Sequence, residues 1–393
     1  MIKERVSKYV KLLYKYLFIL VGILPKQEKV IVFESFLGKQ YSCNPRAIYE
    51  YITENYPDYQ CYWSYDPRYV DNFTGYNLNL VKRFSVKWLL IMPSAKYWVS
   101  NSRLPAWTPK PAKTIYLQTW HGTPLKKLGV DIEEIVMPGT TTEKYKKNFI
   151  MESSRWDYLI SPNKYSSEIF RGAFRFNKQM IESGYPRNDF LYTFKPADVA
   201  KIRKQLSIPT DKKVILYAPT WRDNEYHSKG KYKFSLTLDL QALKRQVGDE
   251  YIVLLRLHYL ISDNLDLSEY KGFVIDASNH SDIRELYIIS DLLITDYSSV
   301  FFDYANLNRP MIFYVYDIDS YRDQLRGFYF DFEKEAPGPL VKTTTEVISA
   351  IKKISDSNNK NLVPELFLRK FTALEDGHAA KRVVEKLLGV TKK

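Results

Sequence analysis

The chemistry in this sequence gathers where apolar runs end. The stretch Gln118-Thr-Trp-His-Gly-Thr-Pro-Leu-Lys-Lys-Leu-Gly129 follows a predicted strand and sets His121 at that strand's carboxyl end. An imidazole titrates near neutral pH and can take the proton of an attacking hydroxyl. Gly122 beside it permits close approach of a substrate, and Thr123 continues the same loop. A histidine merely hydrogen-bonded in its loop is the bland alternative; the turn at Pro124 and the Lys126-Lys127 pair tip the reading towards the first. Arg256-Leu-His258 ends a second strand, so His258 is suited to neutralise a pyrophosphate as charge moves onto a leaving group. A satisfied core histidine fits that spacing equally well.

Four further constellations stand at strand ends. Ala218-Pro-Thr-Trp-Arg-Asp223 offers Arg222, whose guanidinium fork matches a phosphate. Asp291-Leu-Leu-Ile-Thr-Asp-Tyr-Ser-Ser-Val-Phe-Phe-Asp-Tyr-Ala305 reads as a buried strand, a turn and a packed helix. Ser298 and Ser299 would sit at that turn, where backbone N–H groups are unpaired and the helix dipole favours an anion. Plain N-capping is the commoner use of serine there. Asp296 and Asp303 suit a metal or a ligand hydroxyl, Asp303 lying one turn beyond Ser299. Ser161-Pro-Asn163 and Gly184-Tyr-Pro-Arg-Asn-Asp189 are loops whose Asn163, Arg187 and Asn188 either line a cleft or pin the turn between domains.

What is missing narrows the field. There is no Gly-x-Gly-x-x-Gly, Walker loop, Gly-x-Ser-x-Gly elbow or His/Cys metal cluster, which argues against ATP-driven, serine-hydrolase and zinc chemistry. Cys43 and Cys61 have neither a metal spacing nor a disulfide framework, as expected of a reducing compartment. The formal charge of +13 (58 Lys+Arg against 45 Asp+Glu) calls for an anionic partner: a membrane surface, a nucleic acid or a phosphorylated substrate. Nucleic acid is disfavoured because no basic-aromatic recognition motif accompanies the charge.

These residues need elements to hold them. Predicted strands at residues 29–33, 59–65, 96–101, 114–120, 157–161 and 180–184 alternate with helices, which implies a parallel, doubly wound sheet. Breakers at Lys195-Pro196 and Pro209-Thr-Asp-Lys212 interrupt the pattern, and it restarts with strands at 213–217, 251–256, 273–276, 292–295 and 310–315. The expected organisation is a basic amphipathic helix over 1–25, a Rossmann-like domain over 26–195 and a second Rossmann-like domain over 196–393. One long final helix, from Pro364 to about Leu388, is expected to pack back on the first domain. In the N-terminal helix Lys3, Arg5, Lys8, Lys11 and Lys15 interleave with apolar residues, and the run from Leu17 to Leu24 is too short to cross a bilayer. That pattern suits a helix lying in the interface of an anionic leaflet. Two such α/β domains facing a cleft make a GT-B-like fold, a topology that by itself licenses no chemistry.

As a set and in order, four motifs resemble the CDP-glycerol glycerophosphotransferase family, the teichoic-acid primases and polymerases of Gram-positive bacteria. They are Gln118-Thr-Trp-His-Gly-Thr-Pro-Leu-Lys-Lys-Leu, Gly184-Tyr-Pro-Arg-Asn-Asp, Tyr217-Ala-Pro-Thr-Trp-Arg and Thr295-Asp-Tyr-Ser-Ser-Val-Phe-Phe-Asp-Tyr-Ala. The resemblance implies a GT-B-like enzyme bound peripherally to the cytoplasmic face of the membrane. It would move glycerol phosphate from CDP-glycerol to a hydroxyl of an undecaprenyl-diphosphate-linked saccharide or its polymer, releasing CMP. It makes 26–195 the acceptor-side domain and 196–393 the donor-binding one. It also implies that His121 is the base, His258 the second essential histidine, and Ser298 and Ser299 the donor-phosphate contacts. The family usually has His-Pro where this chain has His258-Tyr259. The short stretch before the first strand leans towards a primase, with a ribitol-phosphate transferase or a processive polymerase as alternatives. Other expected partners are further enzymes of cell-wall polymer synthesis, and no obligatory metal is expected. A nucleotide-sugar glycosyltransferase and a non-catalytic membrane scaffold are the rivals from other classes.

Overall fold

The computed structural model describes residues 2–135, 139–220, 226–228, 231–232, 236–257, 266–321, 327–356 and 363–390 (the backbone alone at 2–10, 226–228 and 231–232). The chain divides into two units, one of residues 1–121, 146–189 and 374–393, the other of 122–145 and 190–373.

In the first unit, runs rich in Val, Ile, Tyr and Trp pair into a seven-stranded parallel sheet. Its strands are β1 (Gln27–Glu34), β2 (Gln60–Tyr65), β3 (Leu80–Lys82), β4 (Ala95–Ser100), β5 (Ile115–Gln118), β6 (Tyr158–Ser161) and β7 (Gln179–Glu182). They lie in the order β3-β2-β1-β4-β5-β6-β7. The order reverses beside β1 and β4, and in open parallel sheets ligands gather off the carboxyl ends of strands at such a switch point. Ile31, Phe33, Trp63, Val99 and Leu117 form a buried core with Ile48 and Ile52 of helix α2 (Cys43–Asn55). Val383, Val384 and Leu387 of the helix Ala379–Leu388 complete the same core. Each fully buried aliphatic side chain contributes roughly 1.5–3 kcal/mol, so the C-terminal segment is integral to this unit. On the other side helix α1 (Ile2–Ile23) seats Phe18, with no exposed surface, against Trp88 and Trp98 at centroid distances of 5.5 and 6.2 Å. Trp88 belongs to helix α3 (Val86–Ser94).

The second unit carries its own parallel sheet. Its strands are β8 (Lys213–Tyr217), β11 (Tyr251–Leu255), β12 (Val274–Asp276), β13 (Leu292–Thr295), β14 (Met311–Tyr314) and β15 (Leu340–Val341), in the order β12-β11-β8-β13-β14-β15. A separate antiparallel pair is formed by β9 (Tyr226–Ser228) and β10 (Lys231–Tyr232). Val253, Leu255, Ile294 and Ile312 are buried in its core together with Val347 and Ile351.

Two expectations need correction. The strand placed at 114–120 stops at Gln118, because Trp120 turns into the left-handed region at φ 51°. The single final helix is two, Glu365–Phe371 and Ala379–Leu388. Gly377, at φ 83°, breaks it with a conformation that side chains resist. The short strands β3, β9, β10 and β15 had no visible signal, being two or three residues long. Among the described residues no helix is long and apolar enough to cross a membrane.

Candidate active site

In the first unit His121 stands just past β5, held by a frame of buried polar groups. Its Nδ1 lies 2.8 Å from the carbonyl oxygen of Asn101, at the end of β4. A carbonyl only accepts, so Nδ1 carries the proton and Nε2 keeps the lone pair. The Trp120 indole stacks on the ring at 4.7 Å and 27°, and Phe36 meets it edge-on at 5.6 Å. Burial, aided by the positive charges of Arg187 and Arg103, pulls the imidazole pKa down to about 4 against the raising effect of the Asn101 bond. The ring is therefore neutral at pH 7 and able to accept a proton at Nε2.

The turn that delivers this ring is braced from α2. Asn44 has no exposed surface, and its Nδ2 donates to the carbonyls of Thr119 (3.3 Å) and Trp120 (3.2 Å). Its Oδ1 accepts from the backbone N–H of Arg187 at 3.1 Å. Gln118 adds a second brace: its Oε1 accepts from the Trp120 N–H at 3.0 Å and its Nε2 donates to Ser102 O at 3.2 Å. Asn101 is fixed in turn, its Oδ1 taking the Phe36 N–H at 2.8 Å and its Nδ2 donating to Ser35 Oγ at 3.1 Å.

Three other residues expected at the site have structural tasks in this unit. Arg187 is buried, with Nη1 3.2 Å from Cys43 Sγ and its guanidinium 4.6 Å from the Tyr185 ring centroid. Its charge nevertheless reaches His121. Asn188 donates to Glu375 Oε1 at 3.1 Å, tying the 185–189 turn to the C-terminal segment. Asn163 caps the helix Lys164–Ala173, accepting from Ser166 N at 2.8 Å.

In the second unit Thr295 at the end of β13 donates to Ala218 O (2.7 Å), and Asp296 accepts from Thr220 N (2.8 Å). These bonds lock the β8 and β13 loops side by side. Tyr297 is fully buried, stacked on Tyr321 at 4.2 Å and donating to Asp317 Oδ1 at 3.1 Å. Ser298 and Ser299 follow, both half-buried. Ser299 precedes the helix Val300–Tyr304 without making a side-chain capping bond, so the commoner use of serine is not what is seen. That helix has only five residues. Its dipole is small, and any anion here would depend on hydroxyls and local N–H groups rather than on a macrodipole. Asp303 is buried on the helix.

Gly122 lies directly against this turn: a Cβ there would come within 2.8 Å of Ser299 Oγ. Thr123 is buried beside it. The segment that follows is pinned to residues 327–329 by Lys127 N to Gly327 O (3.1 Å) and Tyr329 N to Leu125 O (2.8 Å). Lys127 pairs with Glu133 at 2.8 Å, and the Lys126 ammonium lies 5.7 Å from the Tyr321 ring centroid. Arg222 and His258 lie outside the described residues. Among the described residues no group of three or more His, Cys, Asp or Glu could hold a metal ion.

Asn44, Asn101 and Gln118 brace the His121 loop, a task with no signal in the sequence. Asn101 ended a predicted strand and Asn44 opened a helix before Pro45, so each had a position but no distinguishing chemistry.

The profile of CDP-glycerol:poly(glycerophosphate) glycerophosphotransferases matches residues 16–389. The chain belongs to this family. It is 60% identical over 380 residues to a teichoic acid poly(glycerol phosphate) polymerase of Bacillus spizizenii, covering 96% of each chain. It is 48% identical over 390 residues to a teichoic acid glycerol-phosphate transferase of Staphylococcus aureus, covering 98% of this chain and 99% of that one. Against the solved wall teichoic acid polymerase TagF the TM-score is 0.87 at 44% identity, over 98% of this chain and 95% of that one. The chain is accordingly a transferase of teichoic acid synthesis with the GT-B-like fold of that polymerase.

Proposed function

We propose that this protein moves glycerol phosphate from CDP-glycerol to a hydroxyl of a lipid-linked acceptor that already bears glycerol phosphate, releasing CMP. His121 Nε2 takes the proton of the acceptor hydroxyl. The oxygen attacks the donor's β-phosphorus, a new P–O bond forms, and the bond to the bridging oxygen breaks with its electron pair leaving on CMP. Ser298 and Ser299 donate to the donor phosphates, and Arg222 and His258 meet the charge that builds on the departing CMP. Asp296 and Asp303 flank these donor contacts, while Gly122 and Thr123 keep the backbone close to them. Because hydroxyls, N–H groups and cations meet the phosphate charge, activity is expected to persist in a chelator.

The observation that carries this reading is the single free lone pair of His121, with Nδ1 committed to Asn101 O and the ring neutral at pH 7. Length does not separate primase from polymerase, since a relative called a polymerase matches over 96% of both chains. Exposed Leu13, Leu20 and Ile23 on α1, together with its lysines, support peripheral attachment to an anionic leaflet. CMP release from CDP-glycerol by the wild type and not by His121→Ala tests the assignment, and full activity in the mutant overturns it. CDP-ribitol in the same assay decides the donor, and the product mass on a synthetic lipid-linked acceptor counts the units added.

A further inference from the structure

A cavity of about 620 Å³ opens on the first unit, walled by Lys11, Tyr14, Arg83, Phe84, Arg103 and Trp107. With Leu37 and Pro105 these make eight lining residues, three of them cations, three aromatic and two aliphatic; none is a carboxylate. The walls are built. Tyr14 donates to Ser85 O at 3.1 Å and meets Trp107 edge-on at 5.6 Å, while Phe84 packs on Trp107 at 5.3 Å. Arg83 is held from behind, its Nε 2.9 Å from the buried Glu34 carboxylate and its Nη1 donating to Leu37 O at 2.9 Å. Ser64 Oγ donates to the same carboxylate at 2.8 Å, and Trp88 Nε1 donates to that hydroxyl at 2.9 Å. An arginine oriented through three successive buried groups is costly to assemble for a solvated surface.

Two neighbours of this cavity say what enters it. On one side is the apolar surface of α1, where Leu13, Tyr16, Leu17, Leu20 and Ile23 are exposed, flanked by the exposed Leu12 and Ile19 and followed by Leu24 just past the helix end. The first five recur every three to four residues on the helix that supplies Lys11 and Tyr14 to the cavity, as an interfacial face does. On the other side is His121. Leu37, also in the cavity wall, follows Phe36, whose ring touches the imidazole. Arg103 follows two residues after Asn101, whose carbonyl holds it. The same two loops thus wall the cavity and frame the base.

We propose that this cavity binds the phosphorylated headgroup of a membrane-borne lipid, the anchor of the acceptor, with its tail along α1 and its far end at His121. Lys11 and Arg103, together with an Arg83 whose charge Glu34 offsets, leave the wall net positive and suited to an anionic headgroup, and the aromatic walls suit the boundary between headgroup and chain. This rests on the reading of His121 as the acceptor's base.

The test uses the full chain and phosphatidylcholine vesicles doped either with a long-chain isoprenyl diphosphate or with phosphatidylserine at equal total charge. Wild type is expected to bind the diphosphate vesicles at least fivefold more tightly, and Lys11→Glu and Arg103→Gln to erase that preference. Lys201→Ala, an exposed lysine of the second unit, is the control and should keep it. In turnover assays the two cavity variants should raise KM for a lipid-diphosphate acceptor tenfold or more while moving KM for CDP-glycerol less than twofold. Equal binding to both vesicles, or a KM change shared by both substrates, overturns the proposal. If wild type prefers diphosphate vesicles yet releases no CMP from CDP-glycerol, the proposed transfer fails and the lipid site stands.

Discussion

The loop that ends in His121 and the turn that holds Ser298 and Ser299 solve opposite problems. Around His121 nearly every polar group is committed: Asn44, Gln118 and Asn101 each make two or more bonds that fix backbone or ring. At the serine turn the neighbours Thr295, Asp296 and Tyr297 are committed, while Ser299 does not cap its own helix. The proton acceptor proposed at His121 needs one tautomer and one direction, and the bonds around it supply both. Groups that meet a phosphate gain by staying available until the anion arrives, provided the backbone beneath them does not move.

The sharpest way to break this contrast is to remove the base. His121→Asn keeps a polar side chain near the Asn101 carbonyl and loses the acceptor lone pair of Nε2, and CMP release should fall on the order of a thousandfold. KM for CDP-glycerol should move by only a few-fold. A comparable loss from Ser299→Ala would show that the two regions are not specialised as described.

Asn44 is the next lever, because it acts through the backbone and never through the reactants. Asn44→Ala leaves the Thr119 carbonyl without its side-chain donor and the Trp120 carbonyl with Thr119 Oγ1 (3.1 Å) as its remaining side-chain donor, and so frees a left-handed Trp120 to relax. We expect kcat to drop about a hundredfold, with KM for CDP-glycerol nearly constant and a stability loss of about 1–3 kcal/mol in denaturant titration. The readout that separates positioning from stability is the acid limb of kcat/KM. In the wild type it should lie near pH 4, the depressed value of His121. In the variant a loosened, better-solvated ring should move it up towards 6. An unmoved limb would make Asn44 merely structural.

The two regions also differ in how much of them could be read from sequence. Both sheets were legible, because runs such as Lys29-Val-Ile-Val-Phe33 and Leu292 to Thr295 are long enough to bury both faces and are bounded by turn residues. So was the position of His121, one residue after a strand should end. The geometry that orients it was not. The bond from Nδ1 spans 20 residues and the Asn44 brace spans 76, and a backbone carbonyl as partner leaves no trace in residue type. The positive φ of Trp120 was equally hidden, since it sits on a bulky residue where periodicity expects extended chain. At the serine turn the reverse held: the residue types announced themselves, while the helix behind them proved to be a single five-residue turn.

Hydrogen bonds to a charged ligand contribute roughly 1.5–3 kcal/mol each, so Ser298→Ala and Ser299→Ala should each raise KM for CDP-glycerol by roughly ten- to a hundredfold. Gly122 turns this into a test of geometry. An alanine there would place its Cβ 2.8 Å from Ser299 Oγ and 3.3 Å from Ser299 Cβ. Gly122→Ala alone should therefore cost nearly as much as Ser299→Ala, by pushing the hydroxyl out of line. In a Ser299→Ala background the same change meets only the more distant Cβ contact, and the further loss should shrink to about twofold. Full additivity in that double-mutant cycle would mean that Gly122 and Ser299 do not act on the same phosphate.

A comparison of pH and stability separates the two regions without any substrate. His121 is depressed to about 4 in the folded chain, against roughly 6.5 when unfolded. Between those values the unfolded state binds more protons, so stability from this group is complete above about 6.5 and is lost as pH falls towards 4. Comparing wild type with His121→Asn by urea titration at pH 7 and pH 4.5 should show a smaller acid loss in the variant, by at most about 2–3 kcal/mol. No serine variant should alter that difference, because a hydroxyl does not titrate in this range. If Ser298→Ala changed it as much as His121→Asn does, the rigid and the open halves of this chemistry would be coupled, and the division of labour drawn between them would have to be abandoned.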